Sequence, residues 1–314
     1  MNVISIHHPY EAADIPTDDV VLVLGFFDGV HRGHQEVIAA GKQAAAQKGL
    51  KLAVMTFNHH PSIVFQKVDP DAMKYLSNVD RKIAIMESLG VDYLYVIEFT
   101  SAFAGLSPQR FVDEYMVGLH AKVVVAGFDY TYGPAAIADM LHLPAYARGR
   151  FEIIEVAKQN DLGKKISSTN IRHMMSEGDM ENANHFLGYV YETSGTVVHG
   201  DARGRTLGFP TANIASEANV LLPKKGVYVV EINIADRWYH GMAQIGYNIT
   251  FGANRRETVE VYILDFSEDI YGEFVTIRWH HFLRPEVKFD GAAGLIEQLQ
   301  LDEQHTRDYF SKNN

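Results

Sequence analysis

The chain contains no cysteine. Disulfides, thiolate metal sites and a cysteine nucleophile are thereby excluded, which fits a reducing compartment. Positive charge is also scarce: Lys and Arg number 28 against 39 Asp and Glu, for a formal net charge of -11. Affinity for a phosphate backbone needs clustered basic side chains, so a nucleic-acid partner is not expected. Long hydrophobic runs are missing too. No apolar stretch reaches the roughly 20 residues needed to cross a bilayer, so no membrane association is expected. Residues 1–17 include His7, His8, Glu11 and Asp14 with no apolar core behind positive charge, and do not read as a signal peptide. A soluble cytoplasmic protein is the expectation, with the oligomeric state left open. What the chain does have is 47% hydrophobic residues spread over 314 positions, enough for two ordinary cores rather than one.

The stretch that organises the chain is Gly25-Phe26-Phe27-Asp28-Gly29-Val30-His31-Arg32-Gly33-His34. It follows the apolar run 20–24, which reads as a buried parallel strand, and precedes a segment, 36–48, rich in Ala, Gln and Lys that reads as a helix. Strand, glycine-punctuated turn and helix start in that order make a seat for phosphate. Glycine lets the backbone come close, and the first helical amides point their hydrogens at an anion. His31 and His34 are three apart and can share one face of the first turn. A lone histidine there would be ordinary surface; two flanking a glycine behind a buried strand favour a nucleotide site.

Further along, 51–57 is a second apolar run, with Asn58-His59-His60-Pro61 at its carboxyl end, where ligands of open parallel sheets collect. Segments 80–89 and 108–119 read as helices, and 92–99, 121–128 and 151–156 as strands. That alternation predicts an α/β doubly wound parallel sheet. Asp129, in Gly127-Phe128-Asp129-Tyr130-Thr131-Tyr132-Gly133, is either a turn former or a ligand partner. Ser167-Ser168-Thr169-Asn170-Ile171-Arg172 leads into a helical stretch, 171–177. Its hydroxyls are either helix caps or donors to phosphate oxygens, with Arg172 on the first turn facing the same anion.

Helical character is expected to end over 178–187, and the texture changes at Gly188. Short alternating runs, 226–234, 238–245, 258–266 and 273–281, predict a small antiparallel β-barrel, and 291–310 a helix packed on it. The expected domains are 1–187 and 188–314. Within the second, the string from Gly200 to Asn213 holds Arg203, Gly204, Arg205, Gly208 and Pro210. Thr211 and Asn213 point to one side of an extended chain and offer oxygens suited to Mg2+. In 258–266, alternation sends Val259, Val261 and Ile263 to one face and Glu260 with Tyr262 to the other. On spacing alone Glu260 is an exposed cross-strand partner or a catalytic group.

These motifs carry a resemblance. The first is similar to the His-x-Gly-His signature of the nucleotidyltransferase superfamily that includes class I aminoacyl-tRNA synthetases, and its full form resembles prokaryotic bifunctional riboflavin kinase/FAD synthetases. Ser167 to Arg172 resembles that family's Ser-Ser-Thr-x-Ile-Arg element, and Gly204 to Asn213 its riboflavin kinase signature. The resemblance implies a Rossmann-like adenylyltransferase domain and a kinase barrel. It implies phosphate contacts from Gly25, Phe27, Asp28, Gly29, Ser167, Ser168 and Thr169 in the first, with His31, His34 and Arg172 catalytic. In the second it implies Gly204, Arg205, Gly208, Pro210, Thr211 and Asn213 around ATP and Mg2+, with Glu260 as base. Asn58, Asp129 and Arg284 are the implied flavin contacts. Riboflavin, FMN and ATP would be the substrates, with FMN and FAD the products. Pro134-Ala135-Ala136 and Asn248-Ile249-Thr250-Phe251 depart from the family pattern. Rival readings are a single-activity FMN adenylyltransferase with an inactive flavin-binding barrel, a transferase for another substrate, and a flavin-binding regulator without turnover.

Overall fold

The structure, a computed structural model, describes residues 1–67, 73–200, 204, 207–217, 219–247 and 257–313. The chain divides into two compact units, Met1–Ser168 and Thr169–Asn314.

The strands of the first unit are β1 (Asn2–Ile6), β2 (Val20–Leu24), β3 (Lys51–Phe57), β4 (Tyr93–Ile97), β5 (Ala121–Gly127) and β6 (Glu152–Val156). They form one sheet in the order β1-β4-β3-β2-β5-β6, and every pairing is parallel. Both faces of such a sheet are covered, so β2 is an unbroken apolar run, buried at every residue. Val20, Leu22 and Leu24 join the main cluster with Tyr95, Phe103, Phe111 and Tyr115. Val21 and Val23 face the other way, against helix α1 (Arg32–Lys48). There Gly41 permits close packing, since a Cβ on it would lie 2.4 Å from a Val23 methyl.

The chain runs from β2 outward through β3 to β4, then returns to the other side of β2 for β5 and β6. The order therefore reverses between β2 and β5, and the crevice at their carboxyl ends is where a ligand binds in this architecture. Two loops meet that crevice: 25–31 after β2, and 128–133 after β5.

Short helices complete this unit: α2 (Ser62–Phe65), α3 (Val79–Ser88), α4 (Ser101–Ala104), α5 (Pro108–Phe111, continued by a wider turn over Val112–Val117) and α6 (Leu143–Ala147). A two-stranded hairpin, β7 (Asn160–Asp161) with β8 (Lys164–Lys165), precedes the Ser-Ser-Thr segment.

The second unit opens with α7 (Ser168–Glu177, whose first residue closes the first unit) and α8 (Met180–Leu187). Helix character does not end across 178–187, as the sequence suggested. Gly178, at φ 85°, only breaks the chain between two helices, and Asp179 caps the second by accepting from the Asn182 amide. Phe186 and Leu187 are fully buried, and each apolar side chain taken out of water in this way contributes about 2 kcal/mol.

Six strands follow: β9 (Tyr191–Val198), β10 (Thr211–Ser216), β11 (Gly226–Ile234), β12 (Arg237–Tyr247), β13 (Glu257–Ile263) and β14 (Phe274–Arg284). They close into an antiparallel barrel, β10-β13-β12-β11-β14-β9. Its interior holds Tyr191, Tyr228 and Trp279, and the Trp279 indole N–H reaches the Thr193 hydroxyl at 2.9 Å. The terminal helix α9 (Ala292–Asn313) is pinned by a fork from Arg284 to the buried Asp302 carboxylate, at 2.6–3.0 Å.

Candidate active sites

In the first unit the turn after β2 is bent by two non-glycine residues with positive φ, Phe27 at 55° and Val30 at 36°, on either side of Gly29 at 77°. Such backbone persists only where the surroundings hold it. Here they do. Asp28 Oδ1 accepts the amides of Leu76 (2.9 Å) and Ser77 (3.3 Å), and Gly29 donates its amide to the Ser77 hydroxyl at 2.9 Å. Gly25 donates to the Met55 carbonyl at 3.2 Å. The Ser168 hydroxyl donates to the Asp28 carbonyl at 2.9 Å, which brings the Ser-Ser-Thr segment onto the turn.

His31 is the N-cap of α1, which begins four residues earlier than the composition of 36–48 suggested. Its Nδ1 accepts the His34 amide at 3.3 Å, so in the neutral ring the proton sits on Nε2. The two imidazoles stack at 3.6 Å with a 14° interplanar angle. His34 also meets the Phe27 ring edge-on at 5.2 Å, and its own Nδ1 is covered and has no protein partner among the described residues. Burial brings the His31 pKa down to about 4 and holds that of His34 well below the usual range, with the neighbouring His31 pushing the same way. Both are therefore neutral at pH 7 and act as hydrogen-bonding groups. Lys165 of β8 and Asp129 of the loop after β5 bear on His31, and Lys165 Nζ holds Asp129 at 2.6 Å.

Lys82 of α3 went unnoticed in the sequence. It is 2% exposed, and its Nζ donates to the Phe26 carbonyl at 2.8 Å. Nothing in Asp80-Arg81-Lys82 marks it, because a helix carrying charges reads as a solvated face. Asn58 sits at the carboxyl end of β3, where its Oδ1 accepts the Phe99 amide at 3.0 Å. Ser167 is half-buried and Thr169 exposed. Arg172 is half-buried in α7, lining a cavity of about 380 Å³ with Met175, Leu221, Lys224, Lys225 and Glu257 of the second unit.

In the second unit the expected alternation holds. Val259, Val261 and Ile263 are buried inside the barrel, while Glu260 and Tyr262 are half-buried on its outer face. On the neighbouring strand Asn213 pairs with Glu260, and Thr211 with Tyr262. The Thr211 hydroxyl lies 3.3 Å from Glu260 Oε2. Three oxygen-bearing side chains, two on β10 and one on β13 nearly fifty residues later, thus share one patch. Pro210 and Thr211 line a cavity of about 360 Å³ with Val197, Ile263 and the loop 266–271. Of the glycine-rich stretch, Gly204 lies beside this patch, where a Cβ on it would be 3.7 Å from the Thr211 hydroxyl. The Gly204 carbonyl accepts the amides of Leu207 (3.0 Å) and Phe209 (2.9 Å), and Gly208 makes the following turn at φ 84°. Gly200 comes so near Asn213 that a Cβ would sit 2.2 Å from its amide nitrogen.

Arg205 and the atypical 248–251 segment lie outside the described residues. Arg284, an implied flavin contact, directs its guanidinium to Asp302 and to the Pro285 carbonyl. The second atypical segment, at Pro134, closes a turn in which Ile137 and Ala138 donate to the Pro134 carbonyl, both at 3.0 Å.

The family model described as FAD synthetase matches residues 14–170, and that described as riboflavin kinase matches 187–310. Relatives named bifunctional riboflavin kinase/FMN adenylyltransferase include those of Listeria monocytogenes, 52% identical with 99% of each chain covered, and Bacillus subtilis, 42% identical with 99% of each. The Escherichia coli protein of that name is 33% identical over 96% of each chain. A Streptococcus pneumoniae crystal structure described as a macrolide-efflux protein superposes with a TM-score of 0.90 at 40% identity, over 97% of this chain and 99% of that one. The chain belongs to the bifunctional riboflavin kinase/FMN adenylyltransferase family, and both activities are its own.

Proposed function

We propose that the two reactions are run by the two patches just described. Glu260 takes the proton from the terminal ribityl hydroxyl of riboflavin as that oxygen attacks the γ-phosphorus of ATP, and FMN and ADP leave. Thr211 and Asn213 would hold Mg2+, and the residues fit it: hard oxygen donors beside one carboxylate suit an ion that keeps most of its shell for water and phosphate. When bound, Mg2+ supplies neutralisation of charge on the phosphates.

In the first unit the FMN phosphate attacks the α-phosphorus of ATP, and FAD and pyrophosphate leave. The nucleophile is already ionised at neutral pH, so the site has to position and stabilise rather than deprotonate. His31 and His34 donate as neutral imidazoles, with the amides at the start of α1, Gly29 and Ser168 around them. Asn58 and Asp129 face the flavin. The functional division we propose falls at 187/188. Dependence on ATP in both steps favours a cytoplasmic location.

The observation that carries the reading is the Glu260–Thr211 contact opposite Asn213, because it gathers an acid and two oxygen ligands onto one face. Supplying Glu260→Gln first with riboflavin and then with FMN tests it. FAD is expected only from FMN; FMN formation at the parental rate would place the base elsewhere. Efflux, the activity in the name of the S. pneumoniae structure, is not favoured, since both halves match enzyme families. Among the described residues no helix is long and apolar enough to cross a membrane.

A further inference from the structure

We propose that Lys82 is a positioning residue for adenylyl transfer, clamping the Gly25–His34 turn from beneath and holding a positive charge that the bound polyphosphate completes. The inference rests on that turn being the adenylylation site. A lysine 2% exposed is unusual unless an acid pairs with it. Among the described residues no carboxylate pairs with this one. Asp28, the acid whose charge bears on it, commits Oδ1 to the amides of Leu76 and Ser77. Lys82 Nζ instead donates to the Phe26 carbonyl at 2.8 Å and sits 3.9 Å from the centre of the Phe26 ring. The same carbonyl accepts the Thr56 hydroxyl at 2.8 Å.

Two donors on one oxygen fix the peptide plane between Phe26 and Phe27. That plane sets the left-handed Phe27, at φ 55°, and the Phe27 ring in turn abuts His34 at 5.2 Å. The line from Lys82 to the imidazole is therefore short and covalent for most of its length. The charge matters as well as the clamp. Burial brings the amine down to about 8, and the groups that face it are Asp28 on the turn and His34 on α1. A triphosphate or pyrophosphate arriving above the turn adds negative charge and pulls that value up. Binding then takes up a proton in the window above pH 8, where the free amine is partly neutral.

The test uses the full chain and three variants. Titration with ATP at pH 8.5, in two buffers of different ionisation heat, reads the protons taken up on binding. Uptake is expected to be larger in the parent than in Lys82→Arg, whose guanidinium stays charged throughout. ATP bound to the barrel contributes equally to both and cancels. Lys82→Met is expected to slow FAD formation from FMN roughly 10- to 100-fold, with riboflavin phosphorylation unchanged and Lys82→Arg recovering much of the loss. Equal proton uptake in parent and Lys82→Arg, or FAD formation at the parental rate in Lys82→Met, would overturn the inference. Should Lys82→Met fail to fold, the proton count on Lys82→Arg decides alone. His34→Ala, run alongside, separates the two claims. If it spares FAD formation the site reading fails; if it abolishes FAD formation while Lys82→Met and the proton count do not change, only the role of Lys82 fails.

Discussion

The turn at the head of α1 and the patch on β10 and β13, the two places we propose for phosphate chemistry, keep their charge differently. The turn has two neutral imidazoles, one brought down to about 4, a buried lysine, and backbone amides tied to Asp28, Ser77 and His31. The patch has a carboxylate on a strand, touched by a hydroxyl and faced by an amide side chain. The nucleophile explains the difference. A phosphate arrives ionised and asks only for donors held in place, whereas a ribityl hydroxyl must lose a proton and needs a base. Backbone turns at a helix start supply donors; a strand supplies a rigid mount for one acid and two ligands.

This contrast can be broken from either side. Removing the base should have the largest effect: Glu260→Gln is expected to lower the rate of riboflavin phosphorylation by about 10³-fold with conversion of supplied FMN unchanged, as read by chromatography of the flavins. On the other side, His34→Ala is expected to reduce FAD formation about 100-fold and let FMN accumulate. Equal damage to both steps by either substitution would mean that the two patches do not act separately.

The neutral histidines also predict a pH dependence confined to the first unit. Their folded pKa values lie below the unfolded one, so the unfolded chain binds more protons between about pH 6.5 and pH 4. Stability of this unit should therefore fall as pH drops through that window. Hydrogen exchange at the β2 and α1 amides reads it, because both tryptophans, Trp238 and Trp279, lie in the second unit. His31→Gln should flatten the slope; an unchanged slope would show that the imidazoles are not buried as neutral groups. The smallest effect is expected at Gly41→Ala. Its methyl would press on Val23, costing the first unit about 1–3 kcal/mol. Kinase turnover should not change.

Legibility in the sequence followed the same divide. Buried parallel strands are continuous apolar runs, so β2, β3 and β5 could be read directly, and the alternation of Val259, Val261 and Ile263 placed Glu260 on the outer face before any coordinates. Thr211 and Asn213, two apart on an extended chain, were legible for the same reason. β1 was not, because Asn2 and Ser5 break the apolar run of an edge strand half exposed to solvent. The continuation of helix beyond Gly178 was missed because a glycine with positive φ marks an end without saying whether another helix begins. Lys82 was hidden for a tertiary reason. Its burial comes from the Gly25–His34 turn folding over α3 from 56 residues away, and no local pattern encodes that approach.

The account depends on each unit doing its own chemistry, and mixing two disabled proteins tests this most directly. Glu260→Gln and His34→Ala, each given riboflavin, ATP and Mg2+, should separately make FAD only at their strongly reduced rates, with riboflavin left over in the first and FMN accumulating in the second. Combined in one vessel they should make FAD, as FMN released by one is taken up by the other. FAD from either variant alone as fast as from the mixture, or no gain on mixing while FMN accumulates, would contradict it.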